Sequence, residues 1–137
     1  LSRDEFLVMQ THTTLGARAI RQMARAGGND PALSFATQIA ESHHERWDAT
    51  GYPNKVGGER MPLVARVMTV ADVYDALRSD RPYKERMTHA EASRIIRAGA
   101  GTQFDPALVR AFCSLEARFS EIAVTEEHVL ERIDEDE

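Results

Sequence analysis

The sequence predicts an all-α fold, a bundle of about five to six helices. Two capping boxes, beginning at Ser2 and Thr88, and two Asp-Pro pairs, at residues 30–31 and 105–106, each mark the start of a helix. No stretch of useful length alternates apolar and polar residues as a half-buried strand does. The 137 residues fit one domain of ordinary size, and we find no internal repeat or low-complexity linker that divides them.

The first two helices are predicted over about residues 3–26 and 31–47. The pair Gly27-Gly28 ends the first helix, because glycine readily adopts the left-handed conformation that closes helices. The pair Asp30-Pro31 begins the second helix, with the aspartate as N-cap and the proline as first helical residue. A glycine-rich stretch over residues 48–60 is expected to form an irregular loop.

Three further helices are predicted over about residues 62–77, 89–98 and 106–119. A proline, a capping box and an Asp-Pro pair begin them in turn. We therefore expect residues 1–118 to form the folded domain. Residues 119–137 are expected to form an acidic tail, with room for one short helix.

The bulk composition argues against several classes of protein. A formal net charge of −5 is unlike that of a protein that coats DNA or RNA. The single cysteine, Cys113, excludes an internal disulfide and a thiolate metal site, and suits a reducing cytoplasm. No apolar run reaches the length of a membrane span, and we expect no signal peptide. Because a helix signal begins directly at Leu1, we expect this chain to be a piece of a longer protein.

Three histidines are candidates for binding metal ions. His43 and His44 follow an apolar helical pattern, and adjacent helix positions are about 100° apart. The pair could therefore serve two neighbouring ions, or one ion and a bridging position. His12 lies in the first predicted helix, one turn before Gly16. The alternative for each is an ordinary core histidine, and for His12 taken alone that is the better explanation.

Two aspartates in the third predicted helix are further candidates. Asp72 follows an apolar run, residues 67–71, that we expect to be mostly buried. A buried carboxylate is costly unless a metal ion or a cation compensates its charge. A metal ion is one interpretation, and an ion pair with Arg66 or Arg78 is the other. Asp75 is on a neighbouring part of the same face, where it could orient cations further along the chain or cap the turn.

Two cations and a tyrosine could bind a phosphorylated ligand. Arg81 and Lys84 flank a Pro-Tyr pair, and the proline stiffens that loop. An arginine fork suits a phosphate or a guanine edge, and a lysine adds a point charge for phosphate. Two solvated surface cations are the commoner alternative. Tyr52, within a Gly-Tyr-Pro run, could stack on a base, cover the site as a lid, or only pack the loop onto the body.

Together these motifs resemble the C-terminal half of the HD-GYP domain, a branch of the HD phosphohydrolase superfamily. The similarity runs from Leu1 to about Ala117. It rests on five segments of the sequence: Met9–His12 with Gly16, His43–Glu45 with Asp48 and Gly51–Pro53, Val70–Asp72 with Tyr74–Leu77, Arg81–Lys84, and Gly101–Pro106.

The resemblance implies an all-α domain with a Gly-Tyr-Pro loop that hydrolyses cyclic di-GMP to pGpG or GMP in bacterial second-messenger signalling. It also implies two or three divalent metal ions, iron or manganese first, with nickel, cobalt or zinc as alternatives. The implied metal ligands are His12, His43, His44 and Asp72, and the last three are also the implied catalytic residues. The implied substrate-binding residues are Arg81, Lys84, Asp75 and Tyr52.

The sequence departs from the family pattern in two places. Ala49 stands where the family usually has glycine, and no adjacent His-Asp pair occurs in the chain. We therefore expect a fragment without the upstream His-Asp half to be a weak or inactive catalyst. We also expect it to expose an apolar face that self-association or the rest of the parent chain covers. His89 and His128 match nothing in the family and are expected on the surface.

Two alternatives to the phosphodiesterase stay open. One is a non-catalytic module that binds cyclic di-GMP or docks a partner. The other is a hydrolase of another nucleotide, which the Arg-Pro-Tyr-Lys run disfavours. Besides cyclic di-GMP, the partners implied by the resemblance are an upstream regulatory domain, diguanylate cyclase (GGDEF) domains and a second copy of the chain.

Overall fold

The computed structural model describes residues 2–27, 30–80 and 85–122, and within them it confirms the all-α prediction. Extended structure there is limited to one isolated bridge between Ala100 and Phe104. The α-helices are α1 (Arg3–Gly27), α2 (Pro31–Ser42), α3 (Leu63–Arg78), α4 (His89–Ala98) and α5 (Pro106–Ser114), with a 3₁₀ turn at Gly58–Arg60 between α2 and α3. Residues 116–122 are again helical.

The predicted helix starts are confirmed by their hydrogen bonds. At the start of α1, the Ser2 backbone N–H donates to the Glu5 carboxylate at 2.7 Å, and the same reciprocal capping box begins α4. Asp30 and Asp105 each accept a hydrogen bond from the backbone two residues on, and a proline follows each as first helical residue. These signals are reliable because both partners of each bond lie within one turn.

Two predicted helix ends were wrong. α2 ends at Ser42 rather than near residue 47, because the chain turns there and buries the Glu45 carboxylate beneath the following loop. α5 ends at Ser114 rather than running on to residue 119. The break lets Phe119 fold back, so that its ring centroid lies 4.9 Å from that of Phe112. In both cases a contact between residues more than one helical turn apart overrides the local helix propensity.

The hydrophobic core lies among α3, α4 and α5, while α1 and α2 pack mainly against each other. Ile96 and Phe104 are fully buried, and each such side chain stabilises the fold by roughly 1.5–3 kcal/mol. The cluster comprises Val70, Tyr74, Ala92, Ile96, Phe104, Val109 and Phe112.

Large apolar side chains are also exposed on several helices, as expected for an uncovered apolar face. On α1 these include Leu7, Val8 and Leu15, and on α3 they include Val67 and Met68. Among the described helices none combines the length and the apolar character that crossing a membrane requires.

Candidate metal centre

Three histidines from two helices meet at one point of the fold. His12 lies in the middle of α1, His43 is the C-cap of α2, and His44 is the next residue. One ring nitrogen of each can be chosen so that all three lie within 4.8 Å of one another. Because α2 ends earlier than predicted, His44 lies beyond the helix rather than on it. The adjacent pair signals this centre in sequence, whereas His12 joins it only through the packing of α1 on α2.

Backbone carbonyls fix the orientation of two of the rings. Nδ1 of His12 lies 2.6 Å from the Met9 carbonyl oxygen, and Nδ1 of His43 lies 2.9 Å from that of Ile39. A carbonyl oxygen can only accept, so each neutral imidazole must carry its proton on Nδ1. The Nε2 atoms of both rings then hold bare lone pairs. Metal-binding histidines are typically held in this way, with the second nitrogen donating to a carbonyl.

These two bare nitrogens face each other. Nε2 of His12 lies 3.4 Å from Nε2 of His43. Two nitrogens that each lie about 2.1 Å from one metal ion stand about 3.0–3.4 Å apart at octahedral or tetrahedral angles. A single proton shared by the two rings is the other arrangement that relieves facing lone pairs. Either way the site attracts a cation, and His44 beside it makes a metal ion the better fit.

His44 is kept neutral by its surroundings. Burial, followed by the neighbouring His43 and His12, lowers the pKa of His44 from 6.5 to about 4, and the charge of Asp72 opposes part of that change. At neutral pH the His44 ring is therefore an uncharged imidazole, so a metal ion does not have to compete with a proton for its lone pair.

The loop after the histidines is folded around Glu45, whose importance the sequence did not reveal. Its carboxylate is only 1% exposed and accepts hydrogen bonds from the backbone N–H of Asn54, at 2.6 Å, and of Val56, at 3.1 Å. Gly51 makes this turn possible, because a Cβ there would lie 2.5 Å from the His44 carbonyl oxygen. The loop is thus tied directly to the residues beside His44.

A second feature of this loop is the backbone conformation of Ala49. Its φ is +61°, in the left-handed region that favours glycine. Ala49 therefore adopts a conformation that glycine would adopt at a lower steric cost. The loop is also fixed to the rest of the domain, since the Trp47 and Asp48 N–H groups donate to the carbonyls of Gln103 and Thr102.

Tyr52 covers one side of the histidine cluster. Its ring centroid lies 4.8 Å from that of His44 at an interplanar angle of 32°, and its hydroxyl lies 3.9 Å from the sulfur of Met9. The Tyr52–Pro53 peptide bond is cis. Burial, then the charge of Asp72, raises the pKa of Tyr52, so the phenol stays protonated. The structure places this side chain at the histidines rather than only against the body of the domain.

The two aspartates lie on α3 but are not buried. Asp72 and Asp75 are exposed, so the prediction that the run over residues 67–71 buries Asp72 was wrong. The reason is that Val67, Met68 and Ala71 face outward, and only Thr69 and Val70 of that run are buried. Arg66 and Arg78, the two arginines considered as partners of Asp72, both interact with other groups. Arg66 pairs with Asp105 at 2.7 Å, and Arg78 donates to the Met87 carbonyl.

Asp72 nevertheless lies on the side of α3 that faces the histidines. Thr69, one turn earlier on the same face, has its hydroxyl 3.2 Å from the His43 carbonyl oxygen. Asp72 also acts electrostatically on both His44 and Tyr52. It is not within the 4.8 Å cluster of described ligand atoms, so the structure brings together three of the four predicted ligands and leaves the fourth nearby.

The remaining predicted residues fall elsewhere. Arg81, Lys84 and His128 lie outside the described residues. His89 was expected on the surface and is half-buried instead. Its side chain is only 21% exposed, and its Nδ1 lies 2.7 Å from the Tyr74 hydroxyl, because α4 begins against α3.

Comparison with known proteins shows that the chain is similar to the HD domain family and to cyclic dinucleotide phosphodiesterases. The sequence profile of the HD domain family matches residues 1–108. A cyclic di-GMP phosphodiesterase of Vibrio cholerae is 47% identical over 123 residues, which is 90% of this chain and 25% of the relative. One of Thermotoga maritima is 37% identical, covering 89% of this chain and 32% of the relative. A 3′3′-cGAMP-specific phosphodiesterase of Vibrio cholerae is 35% identical, covering 80% and 20%. The chain therefore spans between a fifth and a third of the length of these relatives.

Proposed function

Because the chain belongs to the HD domain family, we propose that it is part of a metal-dependent phosphodiesterase that hydrolyses cyclic di-GMP. The observation that carries the proposal is the facing pair of bare Nε2 atoms on His12 and His43, which calls for a cation between them. The names of the Vibrio and Thermotoga relatives support the substrate. The products would be pGpG or GMP.

The proposed metal ligands are the three histidines and Asp72. The Met9 and Ile39 carbonyls hold two of the imidazoles in place, so little ordering is needed when an ion binds. Asp72 is exposed and so can reorient towards the cluster. A set of imidazoles and a carboxylate suits iron or manganese, and also nickel, cobalt or zinc. A bound divalent ion supplies Lewis-acid activation of water and of the phosphoryl oxygens.

Other residues of the chain would bind and orient the substrate. We assign phosphate or guanine binding to Arg81 and Lys84, and the orientation of these cations to Asp75. Tyr52 would line the entrance beside His44, where its ring limits the access of water.

Metal titration tests the first half of the proposal. We expect the purified chain to bind manganese by isothermal titration calorimetry, and His12→Ala to weaken binding at least tenfold, since one of two facing ligands is lost. Thr14→Ala, a neighbouring exposed residue on α1, is the matched control and should bind as wild type. A His12→Ala protein that binds manganese like the control would remove the basis of the proposal.

Turnover tests the second half. The full-length parent protein, prepared anaerobically and loaded with manganese, should convert cyclic di-GMP to pGpG, which chromatography detects. Arg81→Ala in that protein should weaken substrate binding while the metal content is unchanged. Normal metal binding with no binding or turnover of cyclic di-GMP would contradict the assigned substrate. Binding without turnover would instead favour the non-catalytic module.

One relative favours a second candidate substrate. The 3′3′-cGAMP-specific phosphodiesterase matches 109 residues of this chain. Equal amounts of the two cyclic dinucleotides, supplied together, decide between them. If the mixed adenine–guanine dinucleotide is consumed preferentially, it replaces cyclic di-GMP as the assigned substrate.

A further inference from the structure

A partly exposed aromatic ring lies beside the candidate metal centre, in contact with Tyr52. Phe6 lies in the second turn of α1 and is 43% exposed. Its ring centroid lies 6.2 Å from that of Tyr52, and the two rings are nearly perpendicular, at 77°. Other exposed side chains of this helix, such as Leu7 and Val8, are aliphatic, whereas Phe6 offers an aromatic face next to Tyr52.

Phe6, Tyr52 and His44 form a continuous aromatic surface. The Tyr52 ring contacts both of the other rings: its centroid lies 6.2 Å from that of Phe6 and 4.8 Å from that of His44. This surface leads from the exposed first turns of α1 to the histidine cluster. In a nucleotide the base is separated from its phosphate by one sugar. A ligand with its phosphate at the histidines therefore has its base within reach of Phe6 and Tyr52.

The polar end of Tyr52 is also suited to a base. Its hydroxyl lies 3.9 Å from the Met9 sulfur, which is a weak acceptor. The hydroxyl can therefore donate to a ring nitrogen or a carbonyl oxygen of a ligand at little cost. Two perpendicular rings and one available donor match a flat, polar-edged heterocycle better than they match an aliphatic chain.

We infer that Phe6 and Tyr52 form a base-binding subsite that takes a purine of the nucleotide ligand, with Phe6 as a residue that determines affinity for the base. The inference rests on the proposed function for the identity of the ligand as a guanine nucleotide. Phe6 acts by stacking or edge contact and takes no part in the chemistry at phosphorus.

Equilibrium binding of two ligands that are not hydrolysed tests the subsite without relying on catalysis. On manganese-loaded protein, GMP and ribose 5-phosphate are compared by calorimetry, since they share the sugar phosphate and differ in the base. Wild type should prefer GMP. Phe6→Ala should weaken GMP binding about tenfold and leave ribose 5-phosphate unchanged, because stacking on an aromatic ring is lost.

Two further variants keep the result interpretable. Phe6→Trp should restore GMP binding, because it keeps an aromatic face, which a merely structural role for this side chain would not require. Met23→Ala is the matched control, since Met23 is 62% exposed on the same helix and lies about 25 Å further along its axis. It should bind both ligands as wild type.

The outcomes separate the subsite from the proposed function. An unchanged GMP affinity in Phe6→Ala, an equal loss for both ligands, or no preference for GMP in wild type would overturn the subsite. Hydrolysis of cyclic di-GMP, measured on the full-length parent protein, reports on the proposed function alone. A protein that prefers GMP through Phe6 but hydrolyses no cyclic di-GMP would keep the subsite and lose the phosphodiesterase.

Discussion

Replacing Glu45 by glutamine should destabilise the domain and weaken its metal site together. The carboxylate is buried and accepts one backbone hydrogen bond on each oxygen, from Asn54 and from Val56. A glutamine amide keeps one acceptor but places an N–H₂ donor against the other backbone N–H. One charge-assisted bond is lost, worth about 1.5–3 kcal/mol, and two donor groups, the amide N–H₂ and the backbone N–H, face each other without an acceptor.

Part of this loss is offset, because a neutral amide costs less to bury than a carboxylate. We therefore expect Glu45→Gln to lower the free energy of unfolding by about 2 kcal/mol, and Glu45→Ala, which removes both acceptors, by about 4 kcal/mol. Urea denaturation measures both. Because His44 directly precedes Glu45, the loosened loop should also reduce manganese affinity in calorimetry.

The matched control is Glu59→Gln, an exposed residue of the same connection between α2 and α3. It should change the free energy of unfolding by no more than about 0.5 kcal/mol. If Glu45→Gln were as stable as Glu59→Gln and bound manganese as wild type, the assignment of Glu45 as the centre of this loop would be refuted.

Three further perturbations test other parts of the account. Gly51→Ala should cost about 1–3 kcal/mol in urea denaturation, because the added Cβ meets the His44 carbonyl oxygen at 2.5 Å, whereas Gly27→Ala meets nothing within 4 Å and should be neutral. The metal-free domain should lose stability as pH falls from about 6.5 through 4, because the unfolded chain takes up a proton on His44 before the folded chain does. His44→Gln should flatten the plot of unfolding free energy against pH in this range. A wild-type plot that is already flat there would contradict the lowered pKa. Asp105→Ala should cost up to about 3–5 kcal/mol, since Asp105 is buried and its removal leaves a half-buried arginine, Arg66, without this carboxylate. Glu41→Gln at an exposed ion pair should cost less than about 1 kcal/mol, and similar losses for the two would argue against burial as the cause.

The helix starts could be predicted from the sequence, whereas two of the helix ends could not. Capping residues such as Ser2 and Thr88 act within a single turn, so the sequence contains both partners of each bond. The end of α2 depends instead on Glu45 reaching residues nine and eleven positions later. No local pattern distinguishes that glutamate from the solvated glutamates of the chain.

The candidate site shows the same division. The adjacent pair His43-His44 drew attention in sequence, because two neighbouring histidines are hard to explain as core residues. The burial of Asp72 was predicted wrongly, since an apolar run does not show which of its faces is covered. The aromatic contact of Phe6 with Tyr52 joins residues far apart in the chain, and so it became visible only in the fold.

The central claim is that His12 and His43 hold their protons on Nδ1 and present bare Nε2 atoms to a cation. Long-range ¹H–¹⁵N correlation spectra of the ¹⁵N-labelled chain report the tautomer of each histidine directly, with diamagnetic zinc as the probe ion. We expect the Nδ1–H tautomer for both rings in the metal-free protein, and a shift of both Nε2 signals when zinc is added. An Nε2–H tautomer in either ring, or zinc binding that leaves both Nε2 signals unmoved, would contradict the central claim.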